Sequence, residues 1–134
     1  MDYTDSFLHS EITGKIIQCF YQVYNGLGIG FSKKHYIHAL INDLRKEGLP
    51  LEHNRLVELF YKGIDIGDFY VDILVERKIL VYIETDNEIS SLKGTYLYNK
   101  LKSSIYEDGL LLNFGVSPEH ARKQIPNDTK YNAS

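Results

Sequence analysis

The chain is expected to fold as one α/β domain, a small mixed sheet flanked by helices in the order α-α-β-β-β-α-β. Three observations support this. Apolar residues recur at helical spacing over the first third, β-branched and aromatic runs separated by short polar turns fill the middle, and one further helical stretch precedes a short apolar run. At 134 residues the chain is long enough for a single core and too short for two.

The first helix is read over 11–27, where Ile12, Ile16, Ile17, Phe20, Val23, Tyr24 and Leu27 share a face, with Ser10 as N-cap. Three glycines in Gly26-Leu27-Gly28-Ile29-Gly30 end it in a helix-to-helix turn that needs positive φ. A second helix runs from about Ser32 to Glu47 on Tyr36, Ile37, Leu40, Ile41 and Leu44, and Gly48-Leu49-Pro50 stops it. Strands follow at His53–Tyr61, at Ile64–Val75 with a bulge near Gly67, and at Ile79–Thr85. The third helix covers 90–104, anchored by Leu92, Tyr96, Leu97 and Leu101. Leu110–Phe114 is apolar enough to be interior to the sheet, with Asn113 as a buried hydrogen-bonding residue. The single domain is placed at 1–118, and 119–134 reads as a polar, loose C-terminal tail.

Composition narrows the function. A net charge of −3 argues against binding nucleic acid by bulk electrostatics, although it permits a local basic patch. Eleven tyrosines without a tryptophan favour half-buried surfaces and partner contacts, including a second copy of the chain. The single cysteine, Cys19, lies in an apolar run and reads as a small buried hydrophobe. No stretch is apolar enough for a transmembrane helix and the N-terminus lacks signal-peptide character, so no membrane partner and a cytoplasmic location are expected.

Several strings resemble the GxxExxY family of the PD-(D/E)XK nuclease superfamily: FYQVYNGLGIGF at 20–31, Tyr36 with HAL at 38–40, YVDILVERKILV at 70–81 and GLLLNFG at 109–115. The resemblance spans about Ile12 to Gly115 and implies a PD-(D/E)XK-like core. It also implies a catalytic set: a helix glutamate, a strand aspartate, a Glu-x-Lys pair on the next strand and a helix glutamine. Here Gly30 and Tyr36 keep the flanks of the signature, but Lys33 stands at the glutamate and Asp72 alone keeps its acid. Tyr82 and Glu84 stand at the Glu-x-Lys pair, and Tyr96 at the glutamine.

If the 76–78 turn is centred on Arg77, positions summing to 154 face each other. Asp72 then opposes Tyr82, Tyr70 opposes Glu84, and period-two alternation puts all four on one face. The leading expectation is a catalytically inactive nuclease-like module that needs no cofactor and binds protein or nucleic acid. Its candidate binding residues are Tyr36, Tyr70, Tyr82, Tyr96, Lys93 and Lys100; lysines beside aromatics can grip a nucleic-acid backbone. The alternative is an enzyme, a Mg²⁺- or Mn²⁺-dependent nuclease with a rearranged site in which Asp72 and Glu84 hold the metal, with Asp86 as a further ligand, and Lys33 supplies positive charge. Lys33 and Glu84 also form a reciprocal exchange of the family's charges, and the favoured reading of that exchange is a preserved ion pair that needs no catalysis. His35 and His38 have metal-compatible spacing but no matched partners, and read as surface or packing residues.

Overall fold

A computed structural model describes residues 9–130. Helices α1 (Ser10–Leu27) and α2 (Lys33–Lys46) lead into strands β1 (Leu51–Tyr61), β2 (Ile64–Val75) and β3 (Ile79–Glu84). Helix α3 (Ser91–Lys102) follows, then β4 (Asp108–Phe114), β5 (Pro118–Gln124) and a 3₁₀ turn at Asn127–Thr129. The α/β class and the order of the first seven elements match the expectation. His9, not Ser10, is the N-cap of α1, and Ser10 already lies inside the helix.

The sheet runs β1-β2-β3-β4-β5. β3 and β4 are parallel, joined by the crossover through α3, and the other neighbours are antiparallel. Helices α1 and α2 pack on one face against Ile73, Val75, Ile79, Val81, Ile83, Leu110, Leu112 and Phe114. Helix α3 covers the other with Leu97 and Leu101 against Leu74, Leu80 and Leu111. Every residue of β4 is buried, as its near-continuous apolar run requires of an interior strand.

The α1–α2 turn uses Gly28 (φ 76°) and Gly30 (φ 105°), so the positive-φ expectation holds. The turn is tied to the core by Tyr36. Its hydroxyl donates to the Gly28 carbonyl at 2.6 Å, and its ring stacks on Phe114 at 4.2 Å. Tyr36 is fully buried. It is therefore a packing residue, and its assignment to a binding surface is corrected. Tyr36→Phe should keep the fold and lose about 1 kcal/mol, the worth of one buried hydrogen bond, in a urea denaturation curve; no loss would show that the turn does not depend on it.

The expected loose tail over 119–134 is corrected for its first part. Residues 118–124 form β5, paired with the whole of β4 from Asp108↔Gln124 to Phe114↔Pro118. The strand escaped a reading based on apolar pattern because a sheet edge needs only ladder hydrogen bonds and a few anchors. Ala121 packs toward α3, and His120 meets Tyr21 of α1 at 2.9 Å. Further on, Ile125 N–H donates to the Glu107 carbonyl at 2.9 Å, and Asn127 N–H donates to the Glu107 carboxylate at 2.8 Å. The buried Lys130 ammonium donates to the carbonyls of Ser104 and Tyr106, and burial pulls its pKa down to about 8. Residues 131–134 lie outside the described residues.

The third helix departs from its expected anchors. Leu97 and Leu101 are buried, but Leu92 and Tyr96 are more than half exposed. The α3 stripe is narrow, which leaves the first half of the helix open to form one wall of a pocket.

Candidate functional site

The β2–β3 register is the predicted one: Ile73↔Val81, Leu74↔Leu80 and Val75↔Ile79 all sum to 154. The ladder stops there. The Asp72 carboxylate takes the Ile83 N–H at 2.8 Å, and across β1 the facing residue, Asn54, is left-handed at φ 57°. A side-chain acceptor thus replaces a ladder bond, and β2 leaves β3 to continue with β1 as a two-stranded ribbon.

This break slips the alternation by one residue. Phe69 and Val71 join the α3-side cluster that holds Leu74, Leu80 and Tyr82. Tyr70 consequently points away from that side and is 61% exposed. The expectation that Tyr70 shares a face with Tyr82 and Glu84 is corrected. Period-two reasoning failed at the one strand position where a carboxylate took over a backbone bond.

Five of the sequence-predicted residues do come together. Tyr82 and Glu84 from β3, with Lys93, Tyr96 and Lys100 from α3, line a pocket of about 100 Å³ closed at its base by Leu97 and Leu111. Tyr96 and Lys100 also border a wider groove of about 380 Å³ between α3 and the β1–β2 ribbon, lined by Leu59, Ile66, Asn99 and Ser103. The Lys100 ammonium lies 4.8 Å from the Phe69 ring centre and 5.2 Å from that of Tyr82. Such cation–π contacts hold the lysine across the pocket wall. The Tyr82 hydroxyl is buried without a hydrogen-bond partner among the described residues. Burial first, and the nearby Asp72 charge second, push its pKa well above the usual phenol range, so it stays a neutral donor.

The expected Lys33–Glu84 pair does not form. Lys33, at the start of α2, is 3.2 Å from the Asp72 carboxylate. Glu84 instead accepts from Lys93 at 2.8 Å, and Lys93 also bonds the Asp86 carboxylate. These two bonds, that to Asp86 foremost, raise the Lys93 pKa. Glu84 is therefore paired not by Lys33 but by a second lysine, Lys93, which the sequence reading placed among the candidate binding residues. A local signal existed. Lys93 is the third residue of α3, where Ser90 Oγ accepts its N–H at 3.2 Å, and an acid is the usual choice in that turn.

Asn113 was expected to be a buried hydrogen-bonding residue, and it is. Its side chain accepts the Asp86 N–H and donates to the Asp86 carbonyl, both at 2.9 Å, which pins the turn after β3. His35 serves that other helix start: its Nδ1 lies 3.1 Å from the Ser32 N–H. Cys19 is buried and its thiol is pushed up to about 11, which makes it inert. Among the described residues, no group of three or more His, Cys, Asp or Glu is placed to hold a metal ion. Among the described residues, no helix is long and apolar enough to cross a membrane.

Comparison with known proteins bears on the fold and the family. The fold is similar to the crystal structure of SSO0001, with TM-score 0.50 and 16% identity over 88% of this chain; the chain spans 59% of that one. It is also similar to an alkaline exonuclease (LHK-Exo) from Laribacter hongkongensis, with TM-score 0.45 and 10% identity over 87% of this chain and 70% of that one. No curated protein sequence matches. A family model of the PD-(D/E)XK nuclease superfamily matches residues 10–125, nearly the whole described chain. The chain belongs to the PD-(D/E)XK nuclease superfamily.

Proposed function

We propose that the chain is a degenerate GxxExxY-type member that acts by binding and not by metal-dependent cleavage. The observation that carries this reading is the state of its acids. Asp72 is engaged by Lys33 and the Ile83 N–H, Glu84 and Asp86 by Lys93, and Tyr82 lines the pocket beside Glu84. A divalent cation needs several carboxylate or carbonyl oxygens turned toward one point. As placed, these residues do not fit Mg²⁺ or Mn²⁺, because seated ammonium groups would have to leave first.

What the site offers instead is an aromatic and cationic surface. Tyr96 stands half exposed at the junction of pocket and groove, beside Lys100 and the apolar Leu59 and Ile66. Rings next to lysine ammoniums suit contacts with nucleic acid or with a protein partner, including a second copy of the chain.

Calorimetric titration with Mn²⁺, beside an Asp72→Ala variant, tests the reading. The expected result is no Asp72-dependent binding at millimolar metal. Saturable binding that disappears in the variant would instead support the rearranged nuclease with Asp72, Glu84 and Lys33, and cleavage of DNA and RNA would then be assayed.

A further inference from the structure

We infer that the β1–β2 ribbon is a dimerisation arm: its apolar, acidic end seats in the basic groove beside α3 of a second copy of this chain, and the second copy's ribbon returns the contact. This rests on the binding-module reading above and names the partner of its groove.

The ribbon receives little support from its own chain. β1 is an edge strand, and β2 pairs with β3 only over Ile73–Val75. Beyond Asp72 the two strands continue with no third strand beside them. The Phe60 N–H donates to the Ser103 carbonyl at 2.6 Å, which ties the ribbon to the end of α3. Past that tie, every residue from Tyr61 to Asp68 is exposed. A two-stranded ribbon is marginal in water unless a further layer covers it. This one nevertheless carries Leu56, Tyr61, Ile64, Ile66 and Tyr70 as exposed apolar side chains, with Ile64 66% and Ile66 58% exposed. Apolar side chains gathered in this way on a surface mark an interaction site.

Charge selects the partner. Glu58 and Asp68 face each other directly across the two strands, a like-charge pair that costs stability. Neither forms an ion pair among the described residues. Asp65 adds a third acid, and Lys62 is the one base between Glu58 and Asp68. Helix α3 has the opposite balance: its sequence SLKGTYLYNKLK contains no acid. Lys93 is taken up by Glu84 and Asp86, but Lys100 rests on the Phe69 and Tyr82 rings, and Lys102 meets no acid among the described residues. The 380 Å³ groove opens beside Lys100, with Leu59, Ile66 and Tyr96 as its apolar walls.

One chain thus carries both halves of a complementary contact, an acidic apolar arm and a basic apolar groove. A two-fold dimer makes that contact twice, once in each direction. A phosphate backbone fits the groove less well, because the ribbon that walls it carries the three acids.

Sedimentation equilibrium over a range of concentrations tests the inference on the full-length chain. Wild type should reach twice the chain mass, and added salt should weaken the association because exposed charges are screened. Two variants each reverse one side of the contact: Glu58→Lys/Asp68→Lys on the ribbon and Lys100→Glu/Lys102→Glu on α3. The ribbon variant exchanges one like-charge pair for another, so its fold bears the same local repulsion. Each variant alone should dimerise about tenfold more weakly than wild type, or worse. An equimolar mixture of the two should recover association to within about threefold of wild type, because both contacts then join opposite charges again.

A wild type that stays at the chain mass at millimolar concentration overturns the inference. So does association that neither variant weakens, or a mixture that associates no better than its components. None of these results touches the binding-module reading, which fails on Asp72-dependent Mn²⁺ binding. A single-stranded oligonucleotide titrated into the same proteins separates the remaining occupant. With wild type monomeric, binding that is lost on reversing the α3 lysines and kept on reversing the ribbon acids would overturn the dimer and assign the groove to nucleic acid.

Discussion

Gly115→Ala should cost about 3 kcal/mol in a urea denaturation experiment, at the upper end of overpacking effects. Gly115 is not among the residues with positive φ, so conformation is not what demands glycine there. Space is. An added Cβ would meet the Asp86 carbonyl oxygen at 2.1 Å, Asn113 Nδ2 at 2.9 Å and the Asn87 carbonyl oxygen at 3.2 Å. Two of these three are backbone atoms, which cannot rotate away as a side chain can. The Asn113–Asp86 bonds would be pried apart at the same time, loosening the turn that presents Asp86 to Lys93. Gly109→Ala is the control. The nearest atom there is Leu97 Cδ1 at 2.8 Å, the tip of a side chain that can shift, so the loss should stay below about 1.5 kcal/mol. A Gly115→Ala protein as stable as wild type would refute the close-approach account.

Asp108→Asn should be comparably severe, with a loss of about 3 kcal/mol. Asp108 is fully buried at the start of β4 and accepts two bonds from the Arg122 guanidinium on β5, at 3.0 and 2.6 Å. Replacing the carboxylate by an amide removes the negative charge and one of the two acceptors from a guanidinium that is largely shielded from water. Placing Leu at both positions should recover much of the loss, because a buried ion pair contributes little beyond what a packed apolar pair of similar size does. If Asp108→Asn melts within 2 °C of wild type, about what half a kcal/mol would shift, the pair does not hold β5 to β4.

Much of the fold was legible in the residues themselves. The α1 and α2 stripes, the glycine turn, the bulge opposite Leu59/Phe60 and the β2–β3 register follow from local rules of spacing, turn chemistry and pairing. Where those rules failed, a non-local partner had displaced a local one. β5 is polar because its stability comes from the β4 ladder. Tyr70 left its expected face because Asp72 took a backbone bond from β3. Tyr36, expected at a surface, is buried because Phe114, nearly eighty positions away, offers it a stacking partner.

The site divides along the same line. Sequence alone determined that an aspartate stands at 72, a tyrosine at 82, a glutamate at 84 and lysines at 33 and 93. These are facts of residue type. Which lysine meets which acid was decided only by the tertiary structure. Lys33 goes to Asp72 and Lys93 to Glu84 and Asp86 because α2 and α3 approach the sheet from opposite faces. Charge pairing depends on distance through space, and the order of residues along a chain does not state that distance until the layers are packed.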